Sequence, residues 1–150
     1  MHSIRKSAAA DAPALLAVWQ RSVEATHTFL SAADIESLKP EVAQALALPD
    51  VWVVESSGVA AGFMIMNENM IEALFISPDH MGQRLGTRLI EHAHSLLGPE
   101  QDIRVDVNEA NPAALAFYLS RGFREISRSP TDASGRPWPI LHLAMPGRPS

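Results

Sequence analysis

The chain has 150 residues, of which 47% are hydrophobic and 19% charged; this excludes a disordered polypeptide and allows a self-sufficient core. Twelve basic residues against seventeen acidic ones give a net charge of −5, which argues against a dedicated nucleic-acid binder relying on surplus Lys and Arg. Cysteine is absent, so disulfides, thiolate metal sites and cysteine nucleophiles are excluded. The apolar patch from Ala12 to Trp19 is short and is followed by Gln20-Arg21, where a signal peptide would carry small residues. The longest wholly apolar or glycine run, Val59 to Met66, is too short to span a bilayer. The expectation is a soluble, cytoplasmic chain with no membrane or nucleic-acid partner.

In chain order, Ser3 to Lys6 reads as a first strand. Asp11 is placed to N-cap a helix with Pro13 in its first turn, and Ala12, Leu15, Leu16, Trp19 and Val23 share one helical face. A second helix runs from about Ala33 to Leu46, with Pro40 placed to split it. From Val51 the period changes to that of strands. Val51–Glu55 and Val59–Met66 form a hairpin around Ser56-Ser57-Gly58, and Met70–Ile76 is a third strand after Asn67-Glu68-Asn69. Leu85, Leu89, Ile90, Ala93, Leu96 and Leu97 mark an amphipathic helix stopped by Gly98-Pro99. Ile103, Val105 and Val107 alternate in a strand, and Asn111 to Ser120 is a short helix closed at Gly122. Phe123–Ser129 and Trp138–Met145 read as a final antiparallel pair. The order βααβββαβαββ predicts one mixed α/β domain over residues 1–150.

Two stretches carry chemistry. In the first, a strand ending at Ile76 leads through Ser77–Arg84 into the helix from Leu85. Unpaired N–H groups at such a helix start suit an anionic phosphate, and Gly82 and Gly86 let the main chain approach it. Arg84 and Arg88 add donors one turn apart. The alternative is an ordinary strand-to-helix turn whose glycines serve geometry alone. The second stretch is Asn108-Glu-Ala-Asn111-Pro-Ala-Ala114-Leu-Ala-Phe117-Tyr118-Leu-Ser-Arg-Gly122-Phe123. It closely resembles the N-x-x-N-x-x-A-x-x-F-Y-x-x-x-G-F end of the GCN5-related N-acetyltransferases. The element order is similar to that family's from about Ile4 to Met145. The segment Trp19–Ser31, with Thr26, His27 and Phe29, resembles its YjaB-type bacterial branch.

The resemblance implies a mostly antiparallel mixed sheet flanked by helices, and acetyl-CoA as co-substrate without a metal. An amine acceptor, small-molecule or peptide, would attack the thioester directly. The loop would be the pyrophosphate site of pattern Q/R-x-x-G-x-G/A, assigning cofactor contacts to Met81, Gly82, Gln83, Arg84, Leu85, Gly86 and Thr87. The chain departs from that pattern. Met81 stands for Gln or Arg, leaving only its backbone N–H, and Arg84 stands for the central glycine, which requires a negative φ or tolerated strain. Phe75 and Ile76 would receive the pantetheine arm, with Asn111 and Phe117 also against the cofactor; Asn111 serves equally as a plain N-cap. Tyr118 would act as general acid toward the departing thiolate. Glu72, on one strand face with Met70, Leu74 and Ile76, is the candidate base, a bound water being the other; many relatives carry the carboxylate at the place of Met70. Thr26, His27 and Phe29 would border the acceptor. A non-catalytic acyl-CoA sensor is the alternative on the same fold, and an unrelated nucleotide-binding module is a third. A homodimer through the terminal hairpin is compatible with the pattern.

Overall fold

The strand period that begins at Val51 sets the architecture. The structure, a computed structural model, describes residues 2–27 and 29–147. Its elements are β1 (His2–Lys6), α1 (Ala12–Thr26), α2 (Ala32–Leu46), β2 (Val51–Ser56), β3 (Val59–Asn67), β4 (Met70–Ile76), α3 (Leu85–Leu97), β5 (Ile103–Asn108), α4 (Pro112–Ser120), β6 (Arg124–Ser129) and β7 (Ile140–Met145). The strands form one sheet in the order β1-β2-β3-β4-β5-β7-β6. Neighbours are antiparallel except β4 and β5. The predicted element order is the observed one.

Side-chain alternation divides the core in two. Val51, Val53, Phe63 and Ile65 face Leu15, Val18, Trp19 and Val23 of α1 and Ile35 and Leu46 of α2. Val54, Met64, Met66, Val105 and Val107 face the other way, against Leu85, Leu89, Ile90 and Ala93 of α3 and Tyr118 of α4. In α1 the buried set is 15, 18, 19, 22 and 23, a regular helical stripe. Ala12 and Leu16 fall outside it: Ala12 is exposed and Leu16 half-buried.

Several expectations are corrected. Pro40 does not split α2, because it lies on the exposed side, where solvent can take up the carbonyl it leaves unpaired. That helix is held at its start by a reciprocal cap, Asp34 N–H to Ser31 Oγ at 3.1 Å and Ser31 N–H to Asp34 Oδ2 at 2.9 Å. Asp11 precedes α1 but makes no side-chain cap. Its carboxylate instead accepts the Ala8 N–H at 2.6 Å and both Arg5 guanidinium nitrogens at 2.8 Å. The last two strands begin at Arg124 and Ile140, so Phe123 and Trp138 lie outside them.

The correction that matters most concerns Glu72. Ile65 pairs with Ala73 and Met66 with Ile71, so Glu72 is the extra residue of a β-bulge. The bulge resets the alternation: Ile71 joins Leu74 and Ile76 on the α3 side, while Ala73 and Phe75 face α1. Glu72 therefore does not share a regular face with Leu74 and Ile76. Past the bulge β4 loses its parallel neighbour, since β4 and β5 pair only at Met70–Arg104 and Ile71–Val105. The sheet opens there.

Candidate active site

The opening of the sheet, the loop before α3 and the start of α4 converge on one cavity of about 350 Å³. Its floor is the free edge of β4 at Leu74, Phe75 and Ile76, and its far wall is Asn111, Phe117 and Tyr118. Met81, Gly82, Arg84, Leu85 and Gly86 form the entrance. A smaller crevice of about 100 Å³ lies between the diverging strands, bordered by Glu72 on one side and Asp106 and Asn108 on the other.

At the entrance the backbone presents donors. Among the described residues the N–H groups of Gly82, Gln83, Arg84, Leu85, Gly86 and Thr87 find no acceptor. They surround a helix N-terminus, whose partial positive charge adds to them. Met81 does not belong to this set: its N–H closes a 3-10 turn onto the Pro78 carbonyl at 3.4 Å, so the free amides begin one residue later than expected. Arg84 takes the left-handed conformation (φ 61°, ψ 28°), a region glycine enters without steric cost; the strain is tolerated, not avoided. The side chains of Gln83 and Thr87 are engaged elsewhere. Gln83 Oε1 lies 2.9 Å from His2 Nε2 and accepts from Ser56 Oγ, and Thr87 Oγ1 accepts from Arg121 Nη1 at 3.2 Å. Gly86 serves packing: a Cβ there would lie 3.0 Å from Phe117 Cζ, so the bare backbone lets the Phe117 ring lie across α3.

Deeper in, Asn111 caps α4, its Oδ1 accepting the Ala114 N–H at 3.2 Å. Tyr118 is buried, with its ring edge-on to Phe117 at 5.1 Å and Phe123 at 5.3 Å. Its hydroxyl has no hydrogen-bond partner among the described residues, and the residue borders both cavity and crevice. Burial pushes its pKa above the ordinary 10, so it stays protonated. A thiol titrates near 8.5, so complete proton transfer from tyrosine to a thiolate is uphill. A protonated hydroxyl in this position can donate a hydrogen bond.

The α1 terminus closes the site. His27 ends the helix, its N–H bound to the Val23 carbonyl at 2.8 Å, and its ring lies 6.3 Å from Phe75 and 5.5 Å from Phe29. Thr26 and His27 line the cavity, whereas Phe29 stands behind His27 and packs edge-on to Trp138 at 5.9 Å. Glu72 is exposed, holds a hydrogen bond from Asn67 Nδ2 at 3.3 Å, and reaches only the crevice. Sequence reasoning passed over Ser22, His80, Asp106 and Trp138. Asp106 was accessible to it as the polar position between Val105 and Val107 in an alternating strand. Among the described residues no group of three or more His, Cys, Asp or Glu could hold a metal ion, and no helix is long and apolar enough to cross a membrane.

A sheet opened at its single parallel pair, with free amides at one end of the gap and a buried tyrosine at the other, is built for an acyl thioester with a phosphorylated tail. The acetyltransferase (GNAT) domain family matches residues 17–139, and the chain belongs to that family. It is an acetyl-CoA-dependent N-acetyltransferase. Over 147 residues it is 40% identical to the peptidyl-lysine N-acetyltransferase YjaB of Salmonella typhimurium, covering 97% of this chain and 99% of that protein. The solution structure of apo-form YjaB from Escherichia coli superposes with a TM-score of 0.89 at 40% identity, covering 99% of each chain. The PaiA N-acetyltransferase of Thermoplasma acidophilum, solved in complex with coenzyme A, shares the fold at a TM-score of 0.77 and 19% identity over 99% of each chain.

Proposed function

We propose that this chain moves the acetyl group of acetyl-CoA onto the side-chain amine of a lysine held in a peptide or protein. The observation that carries this reading is the crevice between β4 and β5, bordered by Glu72 and by Asp106, whose carboxylate also holds His142 Nδ1 at 2.7 Å, and leading to Tyr118. Two acidic residues at its rim favour a long cationic side chain, and the relatives named peptidyl-lysine N-acetyltransferase agree with it. Acetyl-CoA supplies the activated acyl group. The free amides from Gly82 to Thr87 would hold its phosphates, with Arg84 adding a guanidinium. The unpaired β4 edge at Phe75 and Ile76 would take the pantetheine arm as an added strand, and Asn111 and Phe117 would flank it. The Tyr118 hydroxyl would stabilise the leaving sulfur.

The test is competition among acceptors. Equal concentrations of a lysine peptide with a blocked N-terminus, a free-N-terminus peptide without lysine, and spermidine are incubated with acetyl-CoA and resolved by mass spectrometry. Acetylation concentrated on the lysine peptide is expected. Exclusive acetylation of the α-amine or the polyamine would overturn the assignment of acceptor while leaving the family unaffected.

A further inference from the structure

An amine that attacks a thioester must shed a proton, and the exposed Glu72 is poorly placed to receive it. The six residues that border both the cavity and the crevice are His27, Leu74, Phe75, Asn111, Ala114 and Tyr118. Only two of these titrate. One is the tyrosine already described, and the other is His27.

The hydrogen bonds around His27 define its tautomer. Thr26 Oγ1 donates to the Ser22 carbonyl at 2.8 Å, and the same oxygen lies 2.8 Å from His27 Nδ1. A hydroxyl has one proton, and a carbonyl can only accept, so the proton of the second contact belongs to Nδ1. The neutral ring therefore carries its hydrogen on Nδ1 and a lone pair on Nε2. Asn111 faces that lone pair correctly: its Oδ1 is committed to the Ala114 N–H, which turns the Nδ2 donor to within 3.5 Å of His27 Nε2. Phe29 and Phe75 flank the ring, and burial holds its pKa below the ordinary 6.5, so it is uncharged at neutral pH. The other titratable groups around it are Glu72 and Asp106 on the crevice walls, His80 and Arg84 on the cavity wall, and Tyr118 between.

We propose that His27 is the general base of acetyl transfer, taking the acceptor proton on Nε2, with Thr26 and Asn111 as the residues that orient it. The inference rests on the acetyltransferase reading but does not require the acceptor to be lysine. A lysine ammonium has no lone pair, so it first loses one proton to solvent; as the N–C bond then forms and the C–S bond breaks, a second proton leaves nitrogen and one reaches sulfur. His27 Nε2 accepts the proton from nitrogen, the Tyr118 hydroxyl donates a hydrogen bond to the departing sulfur, which takes its proton from solvent, and exchange with solvent then frees Nε2 again. An imidazole near or below 6.5 is far too weak to deprotonate a free lysine ammonium near 10.4, but a nitrogen already bonding to a carbonyl carbon is a much stronger acid. Two titratable groups pushed in opposite directions, a base kept free and an acid kept protonated, thus stand on the two sides of one gap.

Two measurements test it. Long-range ¹H–¹⁵N correlation spectra of the full chain, without acetyl-CoA, should report His27 as the Nδ1–H tautomer with a midpoint below 6.5. An Nε2–H tautomer, or a midpoint above 7, overturns the assignment. In turnover assays, kcat/KM on the preferred amine should rise with pH through that midpoint. His27→Gln should lose this limb and about 10²- to 10⁴-fold in kcat. Acetyl-CoA affinity in calorimetry should stay within about threefold, since uniform binding is not what a base supplies. An unchanged pH profile with wild-type turnover in His27→Gln overturns the proposal. A wild type that spares lysine peptides but acetylates another amine, with the expected tautomer and limb, overturns the acceptor assignment alone and supports His27 as base.

Discussion

Arg84 shows what a single residue concedes to the site. Its left-handed backbone is the shape the loop needs to turn its amides toward the entrance, and an L side chain holds that shape at a cost of about 1–2 kcal/mol. Arginine is also a poor N-cap, leaving the first turn of α3 without a side-chain acceptor. Arg84→Gly is therefore expected to raise the unfolding free energy by about 1 kcal/mol in urea denaturation. The same variant should bind CoA more weakly while binding pantetheine, which lacks the nucleotide phosphates, as before. Lower stability in Arg84→Gly would mean that no strain is stored there. At this scale the sequence pointed to a loop that lines the cavity entrance, but not to its details. That Gln83 reaches back to His2 and Ser56, or that Met81 spends its N–H on Pro78, depends on tertiary contacts that no local pattern encodes.

Among elements, the helices and strands were legible because their apolar periods are regular: the stripe of α3 and the alternation of β5 are visible residue by residue. Bulges were not, since one extra residue leaves no compositional mark. The bulge at Glu72 reverses the faces along β4 and moves the expected base to solvent. The α1 start was misread for a related reason, Asp11 having a stronger partner than the helix. Arg5 from β1 and the Ala8 N–H pull its carboxyl from the ordinary 3.8 to about 2. A depressed carboxyl pKa contributes stability fully above the unfolded value, and that contribution fades as pH falls from about 3.8 toward 2. Because the Arg5 side chain is 40% exposed, screening limits the pair to about 1 kcal/mol. Asp11→Asn should thus lose about 1 kcal/mol at pH 7 and clearly less at pH 2, as read from urea midpoints at both pH values. An equal loss at both would assign the effect to packing instead.

For the whole molecule, the two core layers clamp a sheet whose β4–β5 pairing ends at Ile71 and Val105, and the proposed site lies in that opening. Its walls come from distant parts of the chain: Phe29 after α1 meets Trp138 before β7, and Arg136 in the same connection pairs with Glu41 of α2 at 2.6 Å. The sequence motif announced the α4 side of the gap, Asn111 through Tyr118. The contribution of the β6–β7 connection was hidden in a polar, Pro- and Gly-rich stretch whose one telling residue was an isolated tryptophan. The central claim is that acetyl transfer occurs where cavity and crevice meet at Tyr118. Removing its hydroxyl alone tests this most directly, because among the described residues that oxygen has no hydrogen-bond partner whose loss would unsettle the fold. Acetyl-CoA affinity by calorimetry and kcat on a lysine peptide are measured on the same preparations of wild type and Tyr118→Phe. The account predicts affinity within about twofold of wild type and kcat lower by about 10²- to 10⁴-fold. Full turnover in Tyr118→Phe would contradict it.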